Sequence, residues 1–151
     1  MAITQAMATS FKVEILDGIH NFGTGVIRAS TAADVFKLAL FTSSATLSAA
    51  TTAYSTTDEV SSSGTNYTAG GKTLTISQVP TSTGTTAWLD FADVTWESAT
   101  ITANGALIYN ATQGNKAVAV LAFGGDKTST AGNFTIQFPA AASSTAILRI
   151  A

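Results

Sequence analysis

The stretch Asn104–Gly125, NGALIYNATQGNKAVAVLAFGG, decides the fold of this chain. It contains two runs of apolar, β-prone residues, Ala106–Ala111 and Lys116–Phe123, which are separated by Thr112–Asn115. A short loop that contains glycine between two such runs is typical of a β-hairpin. The second run includes AVAVLAF, which is apolar at every position. It indicates a strand covered on both faces, or covered on one face and packed by a neighbour on the other. The pattern predicts that this hairpin is the centre of a β-sandwich.

Further β-prone runs lie on both sides of the hairpin. They are Val35–Thr42, Lys72–Val79, Thr86–Phe91, Ala99–Thr102, Asn133–Phe138 and Ala146–Ala151. Turns or loops are predicted between them at Pro80–Gly84, Asp93–Ser98 and Gly124–Gly132. Seven to nine short strands separated by turn residues are typical of a β-sandwich or jelly roll. Because the chain shows no long crossover helix for parallel pairing, we predict a mainly antiparallel all-β fold.

One α-helix is predicted before the strands, over Thr4–Phe22. Its large apolar residues recur at helical spacing and form one stripe; they are Phe11, Ile15, Ile19 and Phe22. Ser10 or an earlier Thr is expected to cap the start of the helix, and His20 is expected on the surface of its last turn. The apolar stripe has two interpretations, since it can dock on the chain's own sheets or on a neighbouring subunit.

The length of 151 residues fits a single domain, residues 1–151. Residues 1–22 are assigned to the N-terminal helix and residues 35–151 to the β-sandwich. Val26–Asp34 is predicted to be a polar connector. The segment Ser43–Gly71 is rich in Ser, Thr and Ala and long for a loop; we expect a short helical or turn piece near Thr46–Ala50, a short strand near Tyr67, and a possible role as an exposed arm.

The composition argues against several classes of function. Hydrophobic residues make up 46% of the chain and charged residues 11%, against a usual charged fraction of roughly 25%. The net charge is −2 and the basic residues are scattered, so nucleic acid is not a predicted partner. The absence of Cys excludes disulfides and thiolate metal sites. No apolar run is long enough for a membrane span, and Met1–Asn21 does not have the pattern of a signal peptide. We therefore expect synthesis in the cytoplasm and no membrane partner.

Residues with catalytic or ligand chemistry form no recognisable site. Gly70–Thr73 resembles the end of a phosphate-binding loop, but a strand rather than a helix is predicted to follow. The densest acidic group consists of Asp90, Asp93 and Glu97. These carboxylates could bind a hard cation, or they could be corner residues that hydrogen-bond a turn. Their spacing favours the second interpretation. His20 is the single histidine and has no nucleophile or acid beside it in the sequence. We predict no enzymatic activity, no metal and no cofactor.

Two tryptophans are informative about contacts. Strand alternation puts Trp88 on the opposite face from Leu89 and Phe91, so at least one indole lies off the main core. Such a side chain is a protein-contact anchor, a residue covered by a second layer, or a platform for sugar. The residues predicted to form an interface are Phe11, Ile15, Ile19, Phe22, Trp88 and Trp96.

Most of the chain resembles a family of small structural proteins encoded by tailed bacteriophages. The most specific match is Asp90–Pro139, DFADVTWESATITANGALIYNATQGNKAVAVLAFGGDKTSTAGNFTIQFP. Shorter matches are Phe36–Leu47, FKLALFTSSATL; Thr51–Val60, TTAYSTTDEV; and Tyr67–Leu74, YTAGGKTL. The helix start from Thr4, TQAMATSFKVEIL, also resembles the family's.

The resemblance implies a virion component without catalytic residues, either a head decoration or cement protein or a tail-associated protein. Capsid decoration, with the major capsid protein or other virion proteins as partners, is the function we expect. A symmetric homo-oligomer, a dimer or trimer, suits contacts that the particle repeats by symmetry. The alternative is a tail-tip module that recognises a host-surface glycan through Trp88, Trp96, Tyr54 or Tyr67.

Overall fold

The computed structural model describes residues 2–16, 18–23 and 33–151. In chain order this part contains β1 (Ala6–Met7), α1 (Thr9–Leu16), β2 (Phe36–Phe41), β3 (Lys72–Thr73), β4 (Ile76–Thr83), β5 (Thr86–Phe91), β6 (Val94–Asn110), β7 (Lys116–Ile136) and β8 (Leu148–Ile150). All pairings between these strands are antiparallel. The all-β class with little helix is therefore confirmed, while a sandwich or jelly roll stays a prediction. Most of the predicted connector lies outside the described residues, and the division into one domain also stays a prediction.

The strands form two sheets. The larger has the order β1-β7-β6-β2-β3, and the smaller has the order β4-β5-β8. Strands β2 and β5 lie where the sequence predicts them. The predicted turn Pro80–Gly84 is wrong, because β4 continues through Pro80 to Thr83 and the turn follows at Gly84. An edge strand tolerates Pro, whose missing N–H is not needed on its outer side.

The central hairpin is much longer than predicted. Strand β6 has 17 residues and β7 has 21, and their register runs from Asn110–Lys116 beside the turn to Val94–Ile136 at the far end. The predicted turn Asp93–Ser98 is therefore wrong from Val94 onward. The predicted loop Gly124–Gly132 is wrong over its whole length. Register shifts absorb the turn-like residues, since a β-bulge holds extra residues in one strand without ending the pairing.

The hairpin supplies the core, as expected. Residues Gly105–Asn110 of β6 and Ala117–Val120 of β7 are buried without interruption, which agrees with strands covered on both faces. The large side chains buried beside them come from β2, among them Phe36, Leu38 and Leu40. At about 25 cal/mol per Å² of apolar surface removed from water, this layer is the main source of stability.

The helix is shorter than predicted. It ends at Leu16, and Gly18 has φ +68°, a left-handed conformation that commonly follows a helix end. Before the helix, Ala6 and Met7 form β1 on the edge of β7. Ser10 does not cap the helix, because it lies inside it and its buried hydroxyl oxygen bonds to no described residue. The predicted helical stripe is therefore divided, with Ile19 and Phe22 beyond the helix.

The long segment Ser43–Gly71 is not an exposed arm. Its backbone bonds to the large sheet, from Val60 N to Leu40 O at 2.9 Å and from Thr100 N to Thr65 O at 3.0 Å. The short strand expected at Tyr67 is absent from this described segment, whose short contacts with strands are isolated bridges. The segment lies on the sheet because its polar and aromatic side chains bond to β2 and β6.

Candidate functional site: an apolar groove between helix and small sheet

A narrow groove of about 160 Å³ lies between α1 and the small sheet. We call it the helix–sheet groove. From the N-terminal segment it is lined by Phe11, Ile15 and Phe22, and from the small sheet by Trp88, Leu148 and Ile150. Most of its wall is apolar. Four of the six residues that the sequence predicts at an interface therefore lie along one groove, although they come from segments far apart in the chain.

Local geometry explains how each wall forms. Phe11 and Ile15 are one helical turn apart and so share a face of α1. In β8, Leu148 and Ile150 alternate with Arg149 and share a face of the small sheet. Leu148 pairs with Leu89 of β5 and Ile150 with Ala87. Because strand ends reach the rim of the groove, Ile150 remains 53% exposed.

The wall of the groove that comes from the N-terminal segment, which we call the helical wall, packs on the chain's own core through aromatic contacts. The rings of Phe22 and Phe36 stack with centroids 4.1 Å apart, and Phe11 meets Phe22 edge-on at 5.9 Å. Phe22 also lies 6.5 Å from Phe91 of β5. Phe11 and Phe22 are both buried. Phe11 and Phe22 of the stripe therefore pack on the chain's own sheets, while docking of the stripe on a neighbouring subunit stays a prediction.

His20 is part of this aromatic cluster and is half-buried, beyond the end of the helix on whose surface it was predicted. Its ring packs edge-on against Phe11 at 4.7 Å and stacks on Phe36 at 6.5 Å. Its Nδ1 is 3.0 Å from the Nδ2 of Asn110, which also donates to Asp34 Oδ2 at 2.8 Å. The buried Asp34 carboxylate further accepts from Asn21 N at 3.0 Å. These bonds form a polar cluster at the base of the helical wall, and sequence reasoning missed Asn110 and Asp34 because neither belongs to a motif.

Trp88 borders the groove and is half-buried. Its indole Nε1 is buried and has no hydrogen-bond partner among the residues that the structure describes. Leaving a donor unpaired in this way costs about 1–3 kcal/mol. The fold therefore leaves the indole N–H of Trp88 without the hydrogen bond that would offset this cost.

Trp96 is inside the core and is not available for a partner. It is 1% exposed and packs against Tyr67 at 5.8 Å and Phe134 at 6.3 Å. Lys72 Nζ lies 5.8 Å from its ring centroid. The interpretation that fits Trp96 is the residue covered by a second layer. Ile19 is partly buried and does not line the groove.

Two residues of the acidic group, Asp90 and Asp93, bond to backbone at the β5–β6 corner, whereas Glu97 lies within β6. Asp90 Oδ1 accepts from Phe91 N at 2.8 Å, and Asp93 Oδ1 accepts from Phe138 N at 2.8 Å. Glu97 is exposed. Burial, together with the nearby charge of Asp93, raises the pKa of Asp90, although the backbone N–H of Phe91 opposes the shift. Among the described residues no three His, Asp or Glu side chains are grouped as a metal site would require.

A second cluster, which we call the tyrosine clamp, surrounds Gly70. Glu59 accepts hydrogen bonds from the hydroxyls of Tyr54 at 2.7 Å and Tyr67 at 2.6 Å, and from Gly70 N at 2.7 Å. Tyr109 stacks on Tyr54 with centroids 4.5 Å apart. Burial and the Glu59 charge raise the pKa of all three tyrosines, that of Tyr109 to about 12. The clamp uses the Gly70 loop structurally, so no phosphate loop forms there; β3 follows it, as predicted.

Comparison of the chain with protein-family models, with curated proteins and with solved structures found no match. Among the described residues, no helix has the length and apolar character needed to cross a membrane. Functional inference therefore depends on the residues and geometry described above.

Proposed function

We propose that this chain is a structural protein of a bacteriophage virion and that it acts as a capsid decoration, or cement, protein. In this role it binds the major capsid protein through protein–protein contacts and carries out no reaction. The particle repeats each contact by symmetry, so a modest contact per copy is sufficient. The resemblance of Asp90–Pro139 to phage structural proteins supports the virion assignment.

The observation that carries the contact role is the convergence at the helix–sheet groove. Phe11, Ile15 and Phe22 lie more than 60 positions before Trp88 in the sequence, yet all four border one apolar groove. At its rim Ile150 is 53% exposed, and Pro80 and Ala87 of the small sheet are exposed beside it. Exposed large aliphatic side chains around an apolar groove are typical of a surface that another protein covers. We assign the groove to an apolar side chain of the capsid protein.

The alternative is a glycan-binding tail module, and most of the side chains proposed for it are not accessible to a sugar. Trp96 and Tyr67 are buried in the core. The hydroxyl of Tyr54 is bonded to Glu59, and its ring stacks on Tyr109. A sugar platform needs an accessible aromatic face, so we do not propose this function.

The test measures the protein in particles and then its binding to a shell that lacks it. We expect quantitative mass spectrometry of purified virions to find hundreds of copies per particle. Purified protein should then bind capsids from a phage that lacks its gene. Absence from purified virions, or a handful of copies per particle, would overturn capsid decoration.

A matched pair of variants tests the groove. Ile150→Asp places a charge at the rim of the groove, and Val35→Asp places one at an aliphatic residue that is 46% exposed elsewhere. We expect Ile150→Asp to weaken capsid binding at least about tenfold, which corresponds to 1.4 kcal/mol, and Val35→Asp to bind as the parent does. Circular dichroism and thermal melting establish that both variants fold. Equal binding by the two variants would remove the groove from the contact.

A further inference from the structure

We propose that the outer edge of β7 is a pairing edge for a second copy of this chain, which adds its own β7 antiparallel across a twofold axis. The first observation is an open edge. On its outer side β7 pairs with β1 at Ala119 and Val120. From Leu121 to Ile136 no strand or loop among the described residues pairs with that side.

The opposite edge of the same ribbon is covered. Beyond the pairing of β2 with Gly105–Asn110, the outer side of β6 is contacted by the loop before β3 and by β3 itself. Thr100 N donates to Thr65 O at 3.0 Å, the Asn66 side chain donates to Ser98 O at 2.9 Å, and Lys72 Nζ donates to Thr95 O. Within residues 2–16, 18–23 and 33–151, one edge of the ribbon is therefore covered internally and the other is open to an external strand.

The open edge has few of the side chains that prevent strand addition. Natural edges are protected by Lys, by inward charges or by Pro. The nine residues Thr128–Ile136 contain no charged residue and no Pro, and Thr128, Thr130, Asn133 and Thr135 are exposed along them. The edge is interrupted at Ala131, where φ is +48°. Five residues, Gly132–Ile136, remain beyond it as continuous strand; the register shift inside this segment lies opposite Glu97 and Ser98 of β6, on the covered side.

Beside this segment lies a hollow of about 490 Å³, lined by Phe123, Lys127 and Asn133–Gln137 among others. It forms because β7 bulges: Lys127 pairs with Ala103 and Ala122 pairs with Gly105, so four residues of β7 lie opposite Asn104. A row of main-chain donors and acceptors that no described residue bonds, next to such a hollow, is matched by an extended strand. The chemistry of the edge thus selects a β-strand as its occupant.

Self-complementarity selects a second copy as the source of that strand. A twofold axis at Phe134 pairs Asn133 with Thr135 of the other copy, and Gly132 with Ile136. Polar residues then meet polar residues, the large Ile meets Gly, and no like charges are opposed. The net charge of −2 per copy adds little repulsion. A closed twofold contact also uses up the edge and so limits further growth.

The test measures the oligomeric state of the full chain by sedimentation velocity over a wide concentration range. We expect the parent to form dimers, and the variant Asn133→Lys/Thr135→Lys to dissociate at concentrations at least tenfold higher than the parent. Thr102→Lys, at an exposed Thr on β6 in the same ribbon, is the matched control and should dimerise as the parent does. A parent that stays monomeric at the highest concentration, or a double variant that dimerises normally, overturns the proposal.

Cysteine crosslinking locates the contact, because the chain has no Cys of its own. An equimolar mixture of Asn133→Cys and Thr135→Cys should form a disulfide-linked dimer on mild oxidation, whereas a mixture with Thr102→Cys should not. Dimers that persist without this crosslink would place the interface elsewhere. These measurements use purified protein alone, so their failure is distinct from failure of the virion assignment.

Discussion

The hydroxyl of Tyr109 donates a hydrogen bond of 2.8 Å to the carbonyl oxygen of Gly70, 39 positions earlier in the chain. The N–H of the same Gly70 donates to Glu59, which also holds Tyr54 and Tyr67. Because Tyr109 belongs to the central strand β6, these bonds attach the long segment before β3 to the core sheet. The tyrosine clamp therefore replaces the regular strand pairing that this segment lacks.

The clamp predicts an unusual alkaline titration, because the three tyrosines of the chain are all in it. Burial and Glu59 raise their pKa above the ordinary 10.0, that of Tyr109 to about 12. A raised pKa means that the folded state keeps the protons that the unfolded state loses. Stability is then fully present below pH 10 and falls as the pH rises through the folded pKa values. Absorbance at 295 nm should show little tyrosinate at pH 10.5 in the folded protein, and normal titration in denaturant.

The variant Glu59→Gln tests the cause of these shifts. Removing the charge should lower the pKa of the clamp tyrosines and reduce the free energy of unfolding by about 1–3 kcal/mol, because charge-assisted bonds become neutral ones. Glu97→Gln, at an exposed carboxylate outside the clamp, is the control and should change neither quantity. Unchanged tyrosine titration in Glu59→Gln would contradict the assigned cause.

Gly71 is predicted to tolerate no side chain. A Cβ built on it would overlap the carbonyl oxygen of Leu38, a backbone atom that cannot rotate away. Gly64 has the same φ of +70° but no atom within 4 Å of its built Cβ. Gly64→Ala should therefore cost about 1–2 kcal/mol, the left-handed strain alone, whereas Gly71→Ala should cost several kcal/mol more or prevent folding. Urea unfolding of the two variants separates the backbone strain from the steric clash. Equal losses of stability would contradict the close approach of Gly71 to Leu38.

The sequence predicted best where side-chain pattern and burial agree. Strand β5 was predicted at its exact bounds, because TAWLDF alternates and is bounded by turn residues. The hairpin centre was predicted from AVAVLAF, whose residues Ala117–Val120 are buried. These elements depend on local periodicity, which can be read without knowing their neighbours.

The errors occur where long-range contacts override local preference. Gly124–Gly132 looks like a loop, yet it is held in β7 by cross-strand partners such as Thr102 for Thr128. The stripe from Phe11 to Phe22 predicts one helix, but ring stacking on Phe36 holds Phe22 outside it. Asn110, Asp34 and Glu59 could not be selected from the sequence, because their importance comes from partners many positions away. The groove is predicted only in part. The sequence indicates Phe11, Ile15, Phe22 and Trp88 as interface residues, but it does not indicate that they lie along one groove.

Asp90 predicts a stability that depends on pH. It is 1% exposed, and burial, together with the charge of Asp93, raises its pKa above 3.8, although backbone hydrogen bonds from Phe91 and Ile147 oppose the shift. A carboxyl group with a raised folded pKa stabilises the fold in acid, and the contribution is lost as the pH rises above the unfolded value. Asp90→Asn should therefore raise the free energy of unfolding at pH 7, and the gain should disappear near pH 3.

The control for that prediction is Asp126→Asn, at an exposed residue of β7. Thermal melts of both variants between pH 3 and pH 7 give the comparison. A gain for Asp90→Asn that is the same at every pH would attribute the effect to packing rather than to charge.

Asn110 joins the turn of the central hairpin to the base of the helical wall. It is fully buried; its Oδ1 accepts from Thr112 N and Gln113 N at 3.1 Å each, and its Nδ2 donates to Asp34 Oδ2. Asn110→Asp keeps the size and the acceptor but replaces that donor with a carboxylate oxygen facing Asp34. Two buried like charges in contact cost several kcal/mol, and in acid they share a proton.

We expect Asn110→Asp to cause a large loss of stability at pH 7 that becomes smaller toward pH 4, measured by denaturant unfolding. Asn115→Asp, at an exposed position of the same turn, should change stability by less than about 0.5 kcal/mol. A loss that does not depend on pH would mean that Asn110 acts through shape alone and that its bond to Asp34 contributes little.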